Sequence, residues 1–388
     1  MSQILVGLLC VEQENGRSKA PVVALVRASL RQQTKFEEHW KGTADVVTKI
    51  AVDPRIDPRI KAMFGAVTFP ETPDVPDRET LLARENSDEA RARAAMSNRF
   101  FDQMDTEAVA SSKGLTSRWE SLVSAPDGNT IRFHFIRPDN SEIVPCVYYI
   151  HGGGMAVLSA ELGVFKAWGR IIAAQGVAVA MIDFRNCVTA SSVPEVAPYP
   201  AGLNDCVSGL KWVHNNAATL GIDPTRTIIA GESGGGNLTL AAGMKLKRDG
   251  DIGLIKGLYA LCPYIAGRWP APNSPSSVEN NGIFLDLHNN NGAVGYGIQA
   301  FNARDPLAWP GFAVEADVQG LPNVVINVNE CDPLRDEGVN FYRLLLRAGV
   351  SARCRQMMGT IHATEVFAAL CPDISRDTAR DIAAFCKG

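Results

Sequence analysis

Beyond residue 145 the chain carries short runs that are apolar almost without a break: CVYYI at 146–150, VAVAMIDF at 177–184, TIIA at 227–230, GLYALCPYI at 257–265 and NVVINVN at 323–329. A strand with one wet face alternates apolar and polar residues, so a strand that does not alternate needs cover on both faces. Segments of helical period lie between the runs, such as 202–217, where Leu203, Val207, Leu210 and Val213 share a stripe. Together these predict a mostly parallel central sheet flanked by helices, an α/β fold. At 388 residues the chain holds one such large domain plus an accessory piece.

A β-hairpin leads into this region. Leu122 and Val123 precede the turn pair Asp127-Gly128, after which Ile131, Phe133 and Phe135 alternate with Arg132 and His134. The alternation assigns His134 to the solvent face. Residues 1 to about 113 read as helical and polar-rich, and 77–97, dense in Arg, Glu and Ala, reads as a solvated helix face without chemistry. In the tandem DPRIDPRI at 53–60, each Asp-Pro pair suits a helix start or a turn. Residues 266–320 break the strand–helix rhythm with many Pro, Asn and Gly. So long an irregular insertion is expected to act as a lid over a site.

A formal net charge of -4 and a pI near 5.9, with no Lys/Arg cluster, argue against nucleic acid or an anionic membrane as partner. No apolar stretch reaches the roughly 18 residues that span a bilayer, and the run from Ile4 to Cys10 lacks the basic flank of a signal peptide. The nine cysteines form no C-x-x-C pair, and Cys146, Cys262 and Cys331 sit in apolar runs as small core hydrophobes. A reducing cytoplasm is the expected setting, with neither a metal nor a cofactor.

The stretch IIAGESGGGNL at 228–238 includes the end of strand TIIA and leads into the helical NLTLAAGMKLKRD. It is no Rossmann fingerprint, because Ser233 stands where the second glycine belongs. It is no P-loop either, because Asn237 and Leu238 follow Gly236 in place of Lys and Ser/Thr. It does match G-x-S-x-G, as Gly231, Glu232, Ser233, Gly234 and Gly235. In such an elbow a strained serine presents its hydroxyl above the sheet edge, and small residues two before and two after avoid clashes between strand and helix.

A serine hydroxyl needs a base. Of six histidines, His39 lies in the helical N-terminal region, His134 on a strand, His214 mid-helix and His288 in the insertion. His362 follows the last strand candidate, 352–358, and so falls on a loop at the strand-end face. The base in turn needs an acid to set its tautomer. Glu330 and Asp332 both follow NVVINVN; Asp332 is preferred, against the competing reading that it caps the helix at 338–348. Asp336 and Glu337 read as acids favouring that helix's dipole. The order Ser233, Asp332, His362 is the order α/β-hydrolases use. His151-Gly152-Gly153-Gly154, directly after CVYYI, supplies backbone N–H groups for an oxyanion, with the Gly234 N–H as their partner donor.

At these residues the chain resembles the hormone-sensitive lipase family of α/β-hydrolases, including its bacterial family IV esterases. The matching pieces are HGGG at 151–154, GESGGG at 231–236, DPLRDEG at 332–338 and His362, with weaker matches at DFRN (183–186) and YPAGLND (199–205). The resemblance covers 115–388 as the catalytic domain and 44–114 as a helical cap segment, with 266–320 adding to the cap. Residues 1–43 match nothing, and serve as an extension assigned to homodimer formation. The resemblance implies Ser233 as nucleophile, His362 as base and Asp332 as acid, with Gly153, Gly154 and Gly234 as oxyanion donors. His151 and Gly152 would hold the oxyanion loop in shape. The chain departs from the family pattern at Glu232, where Asp or Thr is usual, at His362-Ala363-Thr364, where His-Gly-Phe is usual, and at Gly234. The last stands where Ala is usual and should loosen the oxyanion turn.

The expected activity is a serine carboxylesterase acting on small-molecule esters with short- to medium-chain acyl groups, through an acyl-enzyme. Two rivals use the same fold. One is a non-catalytic small-molecule binder, like the plant gibberellin receptors, which lack the catalytic histidine. The other is an amidase or peptidase.

Overall fold

The sheet expected from the apolar runs is the centre of the computed structural model, which describes residues 48–68 and 71–388. Its strands are β1 (Leu115–Val123), β2 (Thr130–Pro138), β3 (Val144–Ile150), β4 (Ala178–Asp183), β5 (Ile222–Glu232), β6 (Gly257–Leu261), β7 (Asn323–Asn329) and β8 (Ala352–Met357), in the order β1-β2-β4-β3-β5-β6-β7-β8. The β1–β2 hairpin and the β2–β4 pair are antiparallel, and every pairing from β4 through β3 to β8 is parallel. The fold is an α/β-hydrolase fold. The N-terminal extension 1–43, with its Ile4–Cys10 run and His39, lies outside the described residues.

The longer helices are α1 (Pro58–Phe64), α2 (Arg78–Glu85), α3 (Asp88–Asp102), α4 (Gly163–Ala173), α5 (Ala201–Asn215), α6 (Gly234–Asp249), α7 (Asn291–Asn302), α8 (Arg335–Arg347) and α9 (Pro372–Lys387). Side chains of β3 alternate between two buried layers. Tyr148 and Ile150 pack in one with Leu210 of α5 and Leu238 of α6. Val147 and Tyr149 pack in the other with Trp168 of α4 and Ile382 of α9. Each fully buried large apolar side chain contributes about 1.5–3 kcal/mol. This two-sided cover is why the strands lack alternation.

The DFRN and YPAGLND segments meet in a buried ion pair. Arg185 grips Asp205 of α5 with two nitrogens, at 2.8 and 2.9 Å, and reaches Asp127 of the hairpin turn at 2.7 Å. Asp57 caps α1 by accepting the Arg59 N–H at 2.8 Å, with Pro58 as the first helical residue. The segment before α2 is joined to the insertion 266–320: Asn290 accepts from the Val75 N–H and donates to the Val75 carbonyl, and Asp286 accepts the Thr72 N–H.

Two expectations need correction. His134 is buried, stacked on Trp119 of β1 at 4.9 Å, because residues of the edge strand fold over the face that the alternation assigned to water. Burial, with Lys166 and Arg170 nearby, lowers its pKa to about 4. β6 ends at Leu261 although the apolar run continues to 265, because Cys262 takes a φ of 34° and turns the chain. Glu337 does stand in the first turn of α8, as expected. It is buried, accepting the Ile265 N–H at 2.7 Å and the Trp269 indole N–H at 2.8 Å.

Candidate active site

Because β3, β5, β6, β7 and β8 run parallel, the loops leaving their C-terminal ends share one edge of the sheet, where open α/β sheets bind ligands. Residues 151–154 leave β3, Ser233 follows β5, Cys262 leaves β6, and Asp332 and His362 follow β7 and β8. Ser233 has φ 58° and ψ −119°, left-handed backbone that costs a non-glycine residue about 1–3 kcal/mol. Its surroundings hold it there. Its N–H donates to the Leu261 carbonyl at 2.9 Å, and its carbonyl accepts from Asn237 at 3.0 Å and Tyr264 at 3.1 Å. A methyl on Gly231 would lie 2.5 Å from the Gly235 oxygen and 2.6 Å from that of Ile150, so no larger residue fits the elbow there.

His362 Nδ1 lies 2.7 Å from Asp332 Oδ2, and both side chains are buried. Asp332 Oδ1 meanwhile accepts the Leu334 N–H at 2.9 Å, in the turn that enters α8. Asp332 is thus the partner of His362, whereas the reading that it caps the helix fails: the N-cap of α8 is Leu334, which has no side-chain cap bond. The two loops are tied together by the Cys331 N–H on the Thr360 carbonyl, at 2.9 Å, and by Asn329 on the Thr360 hydroxyl, at 2.9 Å. Beneath them Glu365 accepts from Asn327 at 2.6 Å and Asn329 at 3.0 Å, and burial pushes its carboxyl above the usual range. Nothing in the sequence pointed to this support, because Asn327 and Asn329 stand inside an apolar strand and Glu365 is a lone acid.

Ser233 and His362 are brought to one sheet edge, but among the described residues the serine hydroxyl has no hydrogen-bond partner. Such bonds are often long without substrate and close around it. Cys262 Sγ, an Asp332 oxygen and a His362 ring nitrogen lie within 4.8 Å of one another. His362 already spends Nδ1 on Asp332, and burial pushes the Cys262 thiol well up, leaving it neutral and a poor metal ligand.

The loop after β3 turns through Gly153 (φ 106°), Gly154 (φ 62°) and Met155 (φ 58°). Among the described residues the Gly153 and Gly154 N–H groups have no acceptor. A methyl on Gly234 would lie 2.5 Å from the Met155 nitrogen and 2.7 Å from that of Gly154. The loop thus lies closer to the start of α6 than alanine permits. Glycine at 234 admits a tight approach and does not loosen the turn. The Gly234 N–H also heads a 16-residue helix, whose dipole favours negative charge there.

His151 is fully buried. Its Nδ1 lies 2.8 Å from the Gly152 carbonyl and so carries a proton, since a carbonyl only accepts. Its Nε2 lies 3.3 Å from Asp183. Burial raises the Asp183 pKa, but the neighbouring His151 ring and hydrogen bonds from Ser192 and the Ala160 N–H outweigh it and hold the carboxylate below its usual range. Glu232, the departure beside the serine, is 3 % exposed and accepts from Tyr149 Oη and the Gly152 N–H, each at 2.5 Å. Burial pushes its carboxyl up to about 7.

Comparison with known proteins bears on the family. Residues 147–366 match the alpha/beta hydrolase fold family. Carboxylesterase NlhH of Mycobacterium tuberculosis is 33% identical over 244 residues, 62% of this chain and 73% of that protein. The structure of esterase Est22 with p-nitrophenol is 64% identical, with a TM-score of 0.86, over 88% of this chain and all of that one. Brefeldin A esterase, described as a bacterial homologue of human hormone-sensitive lipase, is 35% identical with a TM-score of 0.76, over 86% of this chain and 94% of its own.

Proposed function

The chain belongs to the α/β-hydrolase family, among its hormone-sensitive-lipase-like members, and is a carboxylic ester hydrolase; from this we propose that Ser233, His362 and Asp332 are its catalytic triad. The observation that carries the reading is the buried Asp332–His362 hydrogen bond at 2.7 Å on the sheet edge where Ser233 follows β5 in a strained turn. With Nδ1–H given to Asp332, His362 Nε2 keeps its lone pair for the serine proton. Ser233 Oγ bonds to the ester carbonyl carbon as that proton passes to Nε2. The tetrahedral oxyanion is met by the N–H groups of Gly153, Gly154 and Gly234. The C–O bond to the alcohol then breaks, and His362 returns the proton to the leaving oxygen. Water, deprotonated by the same base, hydrolyses the acyl-serine and restores the enzyme. No step requires a metal or cofactor.

Short- to medium-chain acyl esters are the proposed substrates, with a phenolic leaving group supported by the p-nitrophenol of the Est22 structure. Segments 44–114 and 266–320 form the proposed cap that limits acyl length, supported by the Asn290–Val75 hydrogen bonds. The test is hydrolysis of p-nitrophenyl esters from acetate to palmitate. We expect a maximum at short or medium chains, a loss of at least about 10⁴-fold in Ser233→Ala, and labelling of Ser233 alone by a fluorophosphonate. A Ser233→Ala protein with full activity overturns the triad, and faster turnover of the matched anilides favours the amidase reading.

Among the described residues no helix is long and apolar enough to cross a membrane. We place the enzyme in the cytoplasm on the strength of its buried, unpaired cysteines, including Cys146, Cys262 and Cys331. Recovery of the native protein from an extracytoplasmic fraction would contradict this.

A further inference from the structure

Glu232 is a buried carboxyl that forms no ion pair with any described residue, an expensive choice next to a nucleophile. Its two oxygens are committed, Oε2 to the Tyr149 hydroxyl and Oε1 to the Gly152 N–H. Contact is close enough that a methyl on Gly152 would lie 2.7 Å from Oε1 and 3.1 Å from the Glu232 carbonyl oxygen, so a side chain at 152 would press the carboxyl aside.

Gly152 is held on its other side as well. Its carbonyl accepts from His151 Nδ1 at 2.8 Å. Peptide groups are planar and trans, so the direction of a peptide's C=O sets the opposite direction of its N–H. Glu232 holds the 151–152 peptide through its N–H. His151 holds the 152–153 peptide through its carbonyl, and that same peptide carries the Gly153 N–H on its opposite side. With both neighbours of the Gly152 α-carbon pinned, the Gly153 N–H has one direction, away from His151.

We propose that Glu232 is the positioning residue of the oxyanion hole: its side chain ties the loop 151–154 to the strand end that carries Ser233. One residue thereby sets the distance between the nucleophile and the N–H groups that receive the oxyanion. Tyr149, on the strand that feeds the loop, braces the second oxygen. This rests on the reading of Gly153 and Gly154 as oxyanion donors.

The test compares Glu232→Met with Glu232→Gln, using p-nitrophenyl acetate and the full-length chain. Methionine fills the space without an acceptor. Glutamine restores one, its carbonyl taking the Gly152 N–H while its amide donates to Tyr149 Oη. We expect kcat to fall about 30-fold or more in the Met variant with KM within about threefold. The Gln variant should recover to within about fivefold of wild type, and the melting temperature should not track kcat. If the Met protein does not fold, Glu232→Ala, whose vacated space admits water, gives the same comparison. A Met or Ala variant with near-normal kcat, or a Gln variant no better than it, overturns the proposal. Fluorophosphonate labelling separates the two failures. If wild-type Ser233 is labelled, only the positioning role has fallen; if it is not, the catalytic reading beneath it has fallen.

Discussion

At the scale of single residues, the site is set by gaps of a few tenths of an ångström. Gly234 is the clearest case: its missing methyl leaves room for the Gly154 and Met155 amides. Gly234→Ala must push the loop outward, and small displacements of preorganised donors are costly in rate. We expect kcat to drop about tenfold with KM nearly unchanged in steady-state assays; an unaltered kcat would show that the loop has slack. The glycines and the serine were legible in the sequence because their constraint is local, a turn too tight for side chains. The duties of Glu232 and Glu365 were not, because what a carboxyl bonds to depends on chain segments far from it, as with Tyr149 and Glu232, 83 residues apart.

At the scale of elements, β7 runs over the same residues as its apolar stretch, whereas β6 stops short of the run that announced it. Apolar runs report burial, and burial continues into the loop after β6. Glu337 shows a related limit. Its place in the first turn of α8 is the expected one, but α8 packs so that this carboxyl also braces residues 265–269 from beneath. Burial pushes its pKa up to about 8. In the unfolded chain it ionises near 4.5, so between these values the folded protein holds a proton the unfolded chain has lost. Its contribution is therefore most favourable below about pH 4.5 and is lost as pH rises towards 8. Glu337→Gln removes this dependence. Thermal melts should shift by roughly 2–5 °C in the variant's favour, relative to wild type, between pH 5 and pH 8. Parallel curves for the two proteins would refute it.

At the scale of the whole molecule, one sheet edge collects groups from five strand ends, and the insertion joins the segment before α2. We propose that residues 1–43 serve homodimer formation. Light scattering should then give a dimer for the full chain and a monomer after their removal; equal masses would dismiss the idea. The sequence by itself determined the α/β class, the strand–helix rhythm and the order Ser233, Asp332, His362, since periodicity and tight-turn chemistry act over a few neighbouring residues. Tertiary structure alone decided how Asp332 divides its two oxygens, why Glu232 precedes the serine and where His134 and Glu337 are buried. Those outcomes follow from the strand order β1-β2-β4-β3-β5-β6-β7-β8 and the packing around it, which places distant residues side by side and which no local pattern encodes.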